Sequence, residues 1–411
     1  MHFVFHTQYY PPEIGAPQTR LHDLAVRLVD NGMRVTVLTA MPSYPQGRVY
    51  AGYGGWFRRE QMDGIQVIRT GILPTKSLRL VPRLLSYFSF VFTSALLGAA
   101  TVGRADYLLT ESPPLFLGIA GWFLSLVTGA RWIFNVSDLW PESAAELGVI
   151  RKGSPSYKIS RALERWFYRG AWLVSCQSRT ILEDIRQRFP GVRTYYLPNG
   201  VDTDFFQALG NHHASGNFHV AYAGLHGLAQ GLQQIVLAAH KIALAQGVRF
   251  SLIGEGPEKQ ELIRLAEARG LQNVRFLPAV SQSKIPALLG DSDALVVPLK
   301  VRLTGAVPSK LYEAMSLGKP VILIAHGEAA QIVRTADCGL VVQPGDIDGL
   351  VRSILYLKDH PAERAEMGQR GRLVAIRDHN RREIADRFAV FLRDEQDTVR
   401  VTGSARPVPD D

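Results

Sequence analysis

The chain has 411 residues, of which 46% are hydrophobic and 20% charged, so it is neither disordered nor collagen-like, and its length predicts two domains. Its two cysteines, Cys176 and Cys338, exclude a disulfide framework and a cysteine-rich zinc module and are typical of reduced thiols in a cytosolic protein. The net charge of +9 accompanies no recognisable nucleic-acid-binding module, so a membrane face or a phosphate-bearing substrate explains the excess better.

The first half of the chain alternates predicted strands and helices. An apolar run from His2 to Thr7 predicts a buried strand and lacks the basic start and long apolar stretch of a signal peptide. Pro17, followed by apolar residues at helical spacing, predicts a helix that Asn31-Gly32 closes. Further strands are predicted at Met33 to Thr39, Ile65 to Arg69, Tyr107 to Thr110, Trp132 to Val136, Trp172 to Cys176 and Thr194 to Leu197.

The second half repeats this alternation. Strands are predicted at His219 to Ala223, Arg249 to Ile253, Val274 to Leu277, Ala294 to Pro298, Pro320 to Ile324 and Gly339 to Val342. Two such arrays imply two doubly wound α/β domains with parallel sheets, which bind ligands beyond the carboxyl ends of their strands and would face each other across a cleft. The polar segment His212 to Asn217 predicts a domain boundary between Asn199 and Asn217. Residues 395–411 lack apolar periodicity and predict a disordered tail.

Two uncharged segments, Leu84 to Val102 and Pro113 to Ala130, approach the length of a membrane span. They are interpreted as buried helices of a large domain, as spanning helices, or as an apolar surface that dips into one leaflet. Ser, Thr and Gly dilute both segments, which disfavours spanning helices. The upstream basic residues Lys76, Arg79 and Arg83 suit an anionic leaflet, and we expect peripheral membrane contact through residues 76–130.

The sharpest local motif runs from Val307 to Ile322. Pro308 and Ser309 predict the start of a helix, whose free backbone N–H groups can bind phosphate. Lys310 places a cation in the first turn, where the helix dipole disfavours it unless an anion joins it. Glu313 follows on the same face, and its carboxylate can accept two hydrogen bonds from a ribose diol. A solvated Lys–Glu pair on a helix surface explains these two residues equally well.

This motif and others in the same order resemble the family-4 glycosyltransferases of the GT-B fold. The matching strings are Pro11 to Gly15, Asp138 to Glu142, Pro198 to Asp202, Gly254 to Pro257, Asn273 to Leu277, Glu313 with Gly318 to Ile322, and Gly345-Asp346. Each string is weak alone, but together they span nearly the whole chain. The resemblance implies a retaining enzyme that uses a nucleotide sugar. The chain is most similar to the subgroup that builds O-antigen, capsule or exopolysaccharide on a lipid carrier at the cytoplasmic face of the plasma membrane.

The resemblance also implies the roles of the domains. Residues 1–205 would bind the acceptor and be completed by a C-terminal helix at about 381–394, and residues 217–380 would bind the nucleotide sugar. The residues expected at the donor are Gly15, Gly224, His226, Gln230, Gly254, Pro278, Val280, Arg302, Gly305, Ser309, Lys310 and Glu313. The base is expected near Pro278 to Val280, with UDP as the default nucleotide and GDP second.

Two departures from the family pattern affect the donor site. The first Glu of the signature would fall at Gly305, and the loop Arg and Lys that grip the diphosphate correspond to Leu225 and Gln230. We therefore expect Lys310 first and Arg302 second to meet the diphosphate charge, helped by backbone N–H groups near Gly224 and Gly227. The same departures are also compatible with lost activity.

In the first domain, the resemblance directs attention to two loops. Gly15 leaves room for the donor phosphates or the acceptor, or is simply a tight-turn glycine. Asp138, with Trp140 beside it, follows a strand, and its carboxylate would orient or deprotonate the acceptor hydroxyl. A helix N-cap or turn residue is an equally good interpretation of Asp138.

No metal or other cofactor is expected. Asp-x-Asp occurs at Asp202/Asp204, Asp291/Asp293 and Asp346/Asp348, but each copy lies in a predicted turn or helix end, where Asp is favoured anyway. The expected partners are a nucleotide sugar, a lipid-linked glycan and a membrane surface, and not nucleic acid. Two alternatives stay open: a sugar-nucleotide epimerase or hydrolase of the same fold, and a non-catalytic partner in polysaccharide assembly.

Overall fold

The computed structural model describes residues 1–77, 79–207, 216–242, 247–300 and 304–404. It divides into two compact units: residues 1–198 with 381–411, and residues 199–380. The first unit thus ends before the predicted boundary at 205, and the second unit includes the segment 199–207. Both units are doubly wound α/β domains with mainly parallel sheets, as predicted.

The first unit is built on an eight-stranded sheet, as counted in the described residues, with the order β3-β4-β2-β1-β5-β6-β7-β8. Its strands are β1 (His2–His6), β2 (Arg34–Ala40), β3 (Phe57–Met62), β4 (Ile65–Thr70), β5 (Tyr107–Ser112), β6 (Arg131–Val136), β7 (Leu173–Cys176) and β8 (Thr194–Tyr196). Its helices are α1 (Ala16–Asp30), α2 (Leu80–Thr101), α3 (Leu117–Thr128), α4 (Glu142–Glu146), α5 (Pro155–Gly170), α6 (Arg179–Arg188) and α14 (Arg381–Ser404). The strand order reverses between β1 and β5, which is where ligands bind in such sheets.

The second unit has a six-stranded parallel sheet in its described part, with the order β11-β10-β9-β12-β13-β14. Its strands are β9 (Phe218–Ala223), β10 (Val248–Ile253), β11 (Val274–Leu277), β12 (Ala294–Pro298), β13 (Val321–Ile324) and β14 (Gly339–Val342). Its helices are α7 (Gln233–Ile242), α8 (Lys259–Ala268), α9 (Ile285–Gly290), α10 (Ser309–Ser316), α11 (Gly327–Ala336), α12 (Ile347–Asp359) and α13 (Pro361–His379). The order reverses between β9 and β12, so the loops after these strands form the expected ligand edge.

The predicted disordered tail is wrong for residues 395–404, because α14 continues through Ser404. The Glu395 carboxylate forms an ion pair with Arg193, and the Gln396 amide donates to Asp106 at 3.0 Å. Ile384, Phe388 and Leu392 of this helix are buried in the core of the first unit. Polar contacts with the body of this unit therefore extend the helix where apolar periodicity has ended.

Helix α2 packs one side against the first sheet and leaves an apolar side exposed. Ser94 lies on the buried side, 3.1 Å from His6 Nε2 through its hydroxyl, while Phe92 is 65% exposed. By length and composition alone, Val81–Thr101 is long and apolar enough to cross a membrane, and one third of its most apolar stretch is buried in the first unit. Helix α2 is thus partly buried: one side packs on the sheet, and the other presents apolar side chains on the surface of the first unit.

Candidate functional site

Gly224 and Lys310 meet at the ligand edge of the second sheet. Gly224 directly follows β9, and a Cβ added there would overlap Lys310 Cε and lie 2.7 Å from the Tyr222 hydroxyl. The Tyr222 hydroxyl is itself fixed, because it donates to the Leu225 carbonyl at 2.8 Å. A residue larger than glycine would therefore displace the Lys310 side chain, which occupies the space left by the missing Cβ of Gly224.

The start of α10 combines free backbone N–H groups with an unpaired cation. Pro308 is the N-cap and supplies no side-chain cap, and Ser309 is the first helical residue. Among the described residues no carboxylate lies within ion-pair distance of Lys310, so the predicted alternative of a Lys310–Glu313 pair is not formed. The Ser309 hydroxyl donates to Glu313 Oε1 at 3.4 Å, which leaves most of the acceptor capacity of this carboxylate open. The first turn thus presents the groups needed to bind phosphate, with a carboxylate one turn further on.

Glycines allow the loops after β9 and β10 to touch. A Cβ on Gly254 would overlap the Gly224 carbonyl, and one on Gly256 would overlap the backbone of His226. Lys259 of α8, which the sequence analysis missed, joins the loop after β10 to the end of β11. Its buried ammonium donates to the carbonyls of Gly254 at 2.9 Å and Leu277 at 3.1 Å. Gly254 is therefore a packing glycine that shapes the ligand edge, and Lys259 holds that edge together.

His226 and Gln230 lie in the loop after β9, as expected. His226 is fully buried, burial lowers the pKa of its imidazole, and the Lys259 ammonium lowers that pKa further. Gln230 Oε1 is buried without a hydrogen-bond partner in the described part of the chain. In the same loop Leu225 is exposed, so an apolar side chain stands at one of the two positions where the family pattern has a cation, and Gln230 stands at the other.

The remaining donor residues are placed as follows. Gly305 is buried and has φ +77°, a left-handed conformation that disfavours any side chain, which explains why glycine replaces the first signature Glu. Pro278 is exposed and directly follows β11, and Val280 is half-buried against the core. Arg302 lies outside the described residues.

A buried polar cluster lies at the ligand edge of the first sheet. The Arg20 guanidinium donates to Glu111 Oε1 at 2.7 Å and to the Ser137 hydroxyl at 3.2 Å. The other Glu111 oxygen accepts from the Asn135 amide at 2.7 Å, and Asn135 Oδ1 accepts from the Ser175 hydroxyl. All five residues are buried. Their contacts join α1 to the ends of β5, β6 and β7.

Asp138 adjoins this cluster, directly after Ser137. Burial raises the pKa of the Asp138 carboxyl, the neighbouring Glu111 carboxylate raises it further, and Arg20 lowers it. The predicted alternative of a helix cap is wrong, because α4 begins at Glu142 with Pro141 as its N-cap. Trp140 Nε1 is buried without a hydrogen-bond partner in the described residues. The segment after β6 therefore carries two groups that an acceptor could meet: the Asp138 carboxyl, whose pKa is raised, and the Trp140 Nε1–H donor.

Gly15 is the N-cap of α1 and has extended backbone that any residue adopts. The Gln18 side-chain amide packs against Gly15, and a Cβ added at residue 15 would displace that amide. The preceding loop is held by Glu13, whose buried carboxylate accepts from the backbone N–H groups of Ser43 at 2.7 Å and Tyr44 at 2.8 Å. Gly15 is thus a close-packing glycine in a fixed loop.

The Asp-x-Asp pairs have structural roles. Asp202 accepts from the backbone N–H groups of Asp204 and Phe205, and Asp346 caps α12. Asp293 accepts from the His219 N–H at 2.8 Å, and Asp348 pairs with Lys241. In the residues that the structure describes, no three His, Cys, Asp or Glu side chains cluster as metal ligands would.

Family models match both units of the chain. Residues 15–200 match the glycosyl transferase 4-like domain, and residues 211–374 match glycosyl transferases group 1. The chain belongs to the family-4 glycosyltransferases. The enzyme is 26% identical to the Escherichia coli protein WcaI, named as a colanic acid biosynthesis glycosyl transferase, over 88% of this chain and 94% of WcaI.

Solved structures share the GT-B fold of the enzyme. Sucrose-phosphate synthase from Thermosynechococcus elongatus superimposes with a TM-score of 0.75 at 19% identity and covers 97% of this chain and 100% of its own. HepE from Anabaena, in complex with UDP, superimposes with a TM-score of 0.72 at 18% identity over 96% of this chain and 100% of HepE. At these identities the likeness establishes the fold.

Proposed function

We propose that the enzyme is a retaining glycosyltransferase that transfers a sugar from a UDP-linked donor to a lipid-linked glycan. It would act in surface polysaccharide biosynthesis at the cytoplasmic face of the membrane. The observation that carries the donor assignment is the unpaired Lys310 ammonium, held against Gly224 at the start of α10 with Glu313 one turn further on. WcaI supports the polysaccharide role, and the UDP complex of HepE supports the nucleotide.

In this proposal Lys310 and the first-turn N–H groups of α10 bind the diphosphate, and Glu313 binds the ribose diol. The positive charge that stabilises the leaving diphosphate then comes from the protein, and the proposal uses no metal ion. Arg302 would add a second cation. The base would lie near Pro278 and Val280, beyond the end of β11.

The reaction we propose occurs on one face of the sugar. The bond between the anomeric carbon and the diphosphate oxygen breaks, the acceptor oxygen forms a bond on the same face, and the acceptor proton passes to the departing phosphate. Asp138 would orient the acceptor hydroxyl, with Trp140 and Gly15 shaping the acceptor site. The position of Asp138 two residues after the end of β6, at the ligand edge of the first sheet, supports this role.

The membrane part of the proposal rests on the apolar side of α2. Val81, Leu85, Phe88, Phe92 and Leu96 are all exposed, and their spacing places them along one side of the helix. Such a stripe fits shallow insertion into one leaflet, because the opposite side of the helix is packed on the sheet.

The donor assignment is tested by titrating UDP into Lys310→Ala and Glu313→Ala variants in a calorimeter. Each loses a hydrogen bond to a charged group, so we expect UDP affinity to fall roughly 10- to 100-fold. Arg264→Ala, on the exposed side of α8, is the matched control and should bind UDP like the wild type. Unchanged affinity in both site variants would overturn the assignment.

A further inference from the structure

Helices α2, α3 and α5 are neighbours in the first unit. Gly98 of α2 lies against Leu124 of α3, so that an added Cβ would be 3.1 Å from it. Helix α3 contacts α5 through the Trp122 and Trp166 rings, whose centroids are 5.2 Å apart. Helix α3 thus lies between α2 and α5, and it exposes Phe123, Leu126 and Val127.

Helix α5 lies outside residues 76–130 and exposes a different mixture of side chains. Ile159 and Trp166 are 60% and 40% exposed, and the cations Lys158, Arg165 and Arg169 are exposed beside them. The segment before the helix repeats this mixture, with exposed Leu147 and Val149 followed by exposed Arg151 and Lys152. Apolar and basic groups thus alternate along the edge of the apolar surface.

Basic residues dominate the exposed charge of this surface, and the exposed carboxylate of Glu146 lies at its border, directly before residue 147. Across α2, α3, α5 and residues 147–154, Glu164 is the only acidic residue in the sequence. It is fully buried and bound by Arg161 and Arg188, each at 2.7 Å. A merely solvated helix face would mix charges, whereas this one complements an anionic surface.

We propose that α5 and residues 147–152 bind the headgroups of anionic lipids beside the apolar stripe of α2. This inference rests on the proposed membrane contact and adds a headgroup-binding segment that lies outside residues 76–130. The binding of an amphipathic surface to a membrane grows with its buried apolar area and with its electrostatic attraction to anionic lipids, and the cations supply the second contribution here. Trp166 lies among these cations, as aromatic residues do at the interface between lipid and water.

The test is co-flotation of the full chain with vesicles of phosphatidylcholine, with and without phosphatidylglycerol. We expect binding to require phosphatidylglycerol and to weaken as salt rises. Charge reversal at Lys158→Glu, Arg165→Glu and Arg169→Glu should reduce affinity for the anionic vesicles on the order of 100-fold. Reversal at Arg264→Glu, Arg269→Glu and Arg275→Glu changes the net charge equally on the second unit and should leave binding much closer to the wild type.

Several outcomes would overturn the inference. One is equal binding to both vesicle types, and another is equal loss in the two charge-reversal variants. Failure of the wild type to bind any vesicle would favour a protein partner for this surface. The salt dependence of vesicle binding is measured on the wild type, so it tests the inference even if a charge-reversal variant fails to fold. Vesicle binding needs no donor, and UDP affinity is measured separately, so failure of this inference and failure of the donor assignment are distinguishable.

Discussion

Replacing Arg20 by Met tests how much the buried polar cluster that adjoins Asp138 contributes to the stability of the first unit. The Arg20 and Glu111 side chains are 6% and 4% exposed and 2.7 Å apart, so water cannot replace the guanidinium. The Glu111 carboxylate would keep only its contacts with Asn135 and Ser137. Removing one partner of a buried ion pair costs about 3–5 kcal/mol, and we expect a loss of that size in the free energy of unfolding of the first unit.

The assay is urea unfolding followed by tryptophan fluorescence, because all six tryptophans lie within residues 1–198 and report on this unit alone. The double variant Arg20→Met/Glu111→Gln removes both charges and should recover most of the lost stability, since replacing a buried ion pair by neutral groups is often nearly neutral. Arg27→Met removes an i,i+4 pair with Asp23 on the same helix and should cost less, because Asp23 keeps its contact with Arg381. The reasoning is refuted if Arg20→Met costs no more than this control, or if the double variant is less stable than the single one.

Three further predictions concern the site. Gly224→Ala should displace Lys310 and lower UDP affinity at least roughly 10-fold in calorimetry. Overpacking by the new methyl group should also lower the free energy of unfolding by about 1–3 kcal/mol. In the control Gly170→Ala the new Cβ would lie 3.8 Å from the nearest side chain, so both UDP affinity and stability should stay unchanged. The pKa of Asp138 is raised in the folded state, so ionisation of its carboxyl lowers the stability of the fold at neutral pH, and the stability is regained as the pH falls through that pKa. Asp138→Asn should therefore have a higher melting temperature than the wild type at neutral pH and lose this advantage in acid. The same variant should lose transfer activity. Gly305→Glu restores the family signature at a position with φ +77°, so it should cost about 1–2 kcal/mol in urea unfolding followed by circular dichroism, without tightening UDP binding.

The sequence predicts the elements that carry periodic apolar patterns. Every buried parallel strand of both units was predicted within about two residues, because its apolar run is bounded by turn residues. Strand β3 was missed because Phe57–Met62 is an edge strand of mostly charged and polar residues with no buried side. It pairs antiparallel with β4, where the backbone pairing rather than apolar burial forms the strand.

The candidate site was only partly predictable, for a physical reason that two lysines illustrate. Lys310 stands out locally because a cation in a first helical turn is unfavourable, but its contact is with Gly224, many residues earlier, rather than with Glu313 one turn away. Lys259 looks in the sequence like the partner of Glu255 four residues earlier, and its bond to the Leu277 carbonyl at the end of the neighbouring strand becomes visible only in the fold. Likewise, Arg20 and Glu111 are 91 residues apart in the chain, and only the fold joins them.

The most direct test of the central claim is thermal unfolding of the purified enzyme with UDP, GDP, ADP and dTDP, each with and without magnesium. A ligand that binds only the folded state adds about 4 kcal/mol of stability at a concentration of about 1,000 Kd. We predict that UDP raises the melting temperature equally with and without magnesium, and that Glu313→Ala, through its roughly 10- to 100-fold loss of affinity, removes about one to two thirds of the stabilisation. No shift with any of the four nucleotides would contradict the assignment of Lys310 and Glu313 to a nucleotide-sugar donor.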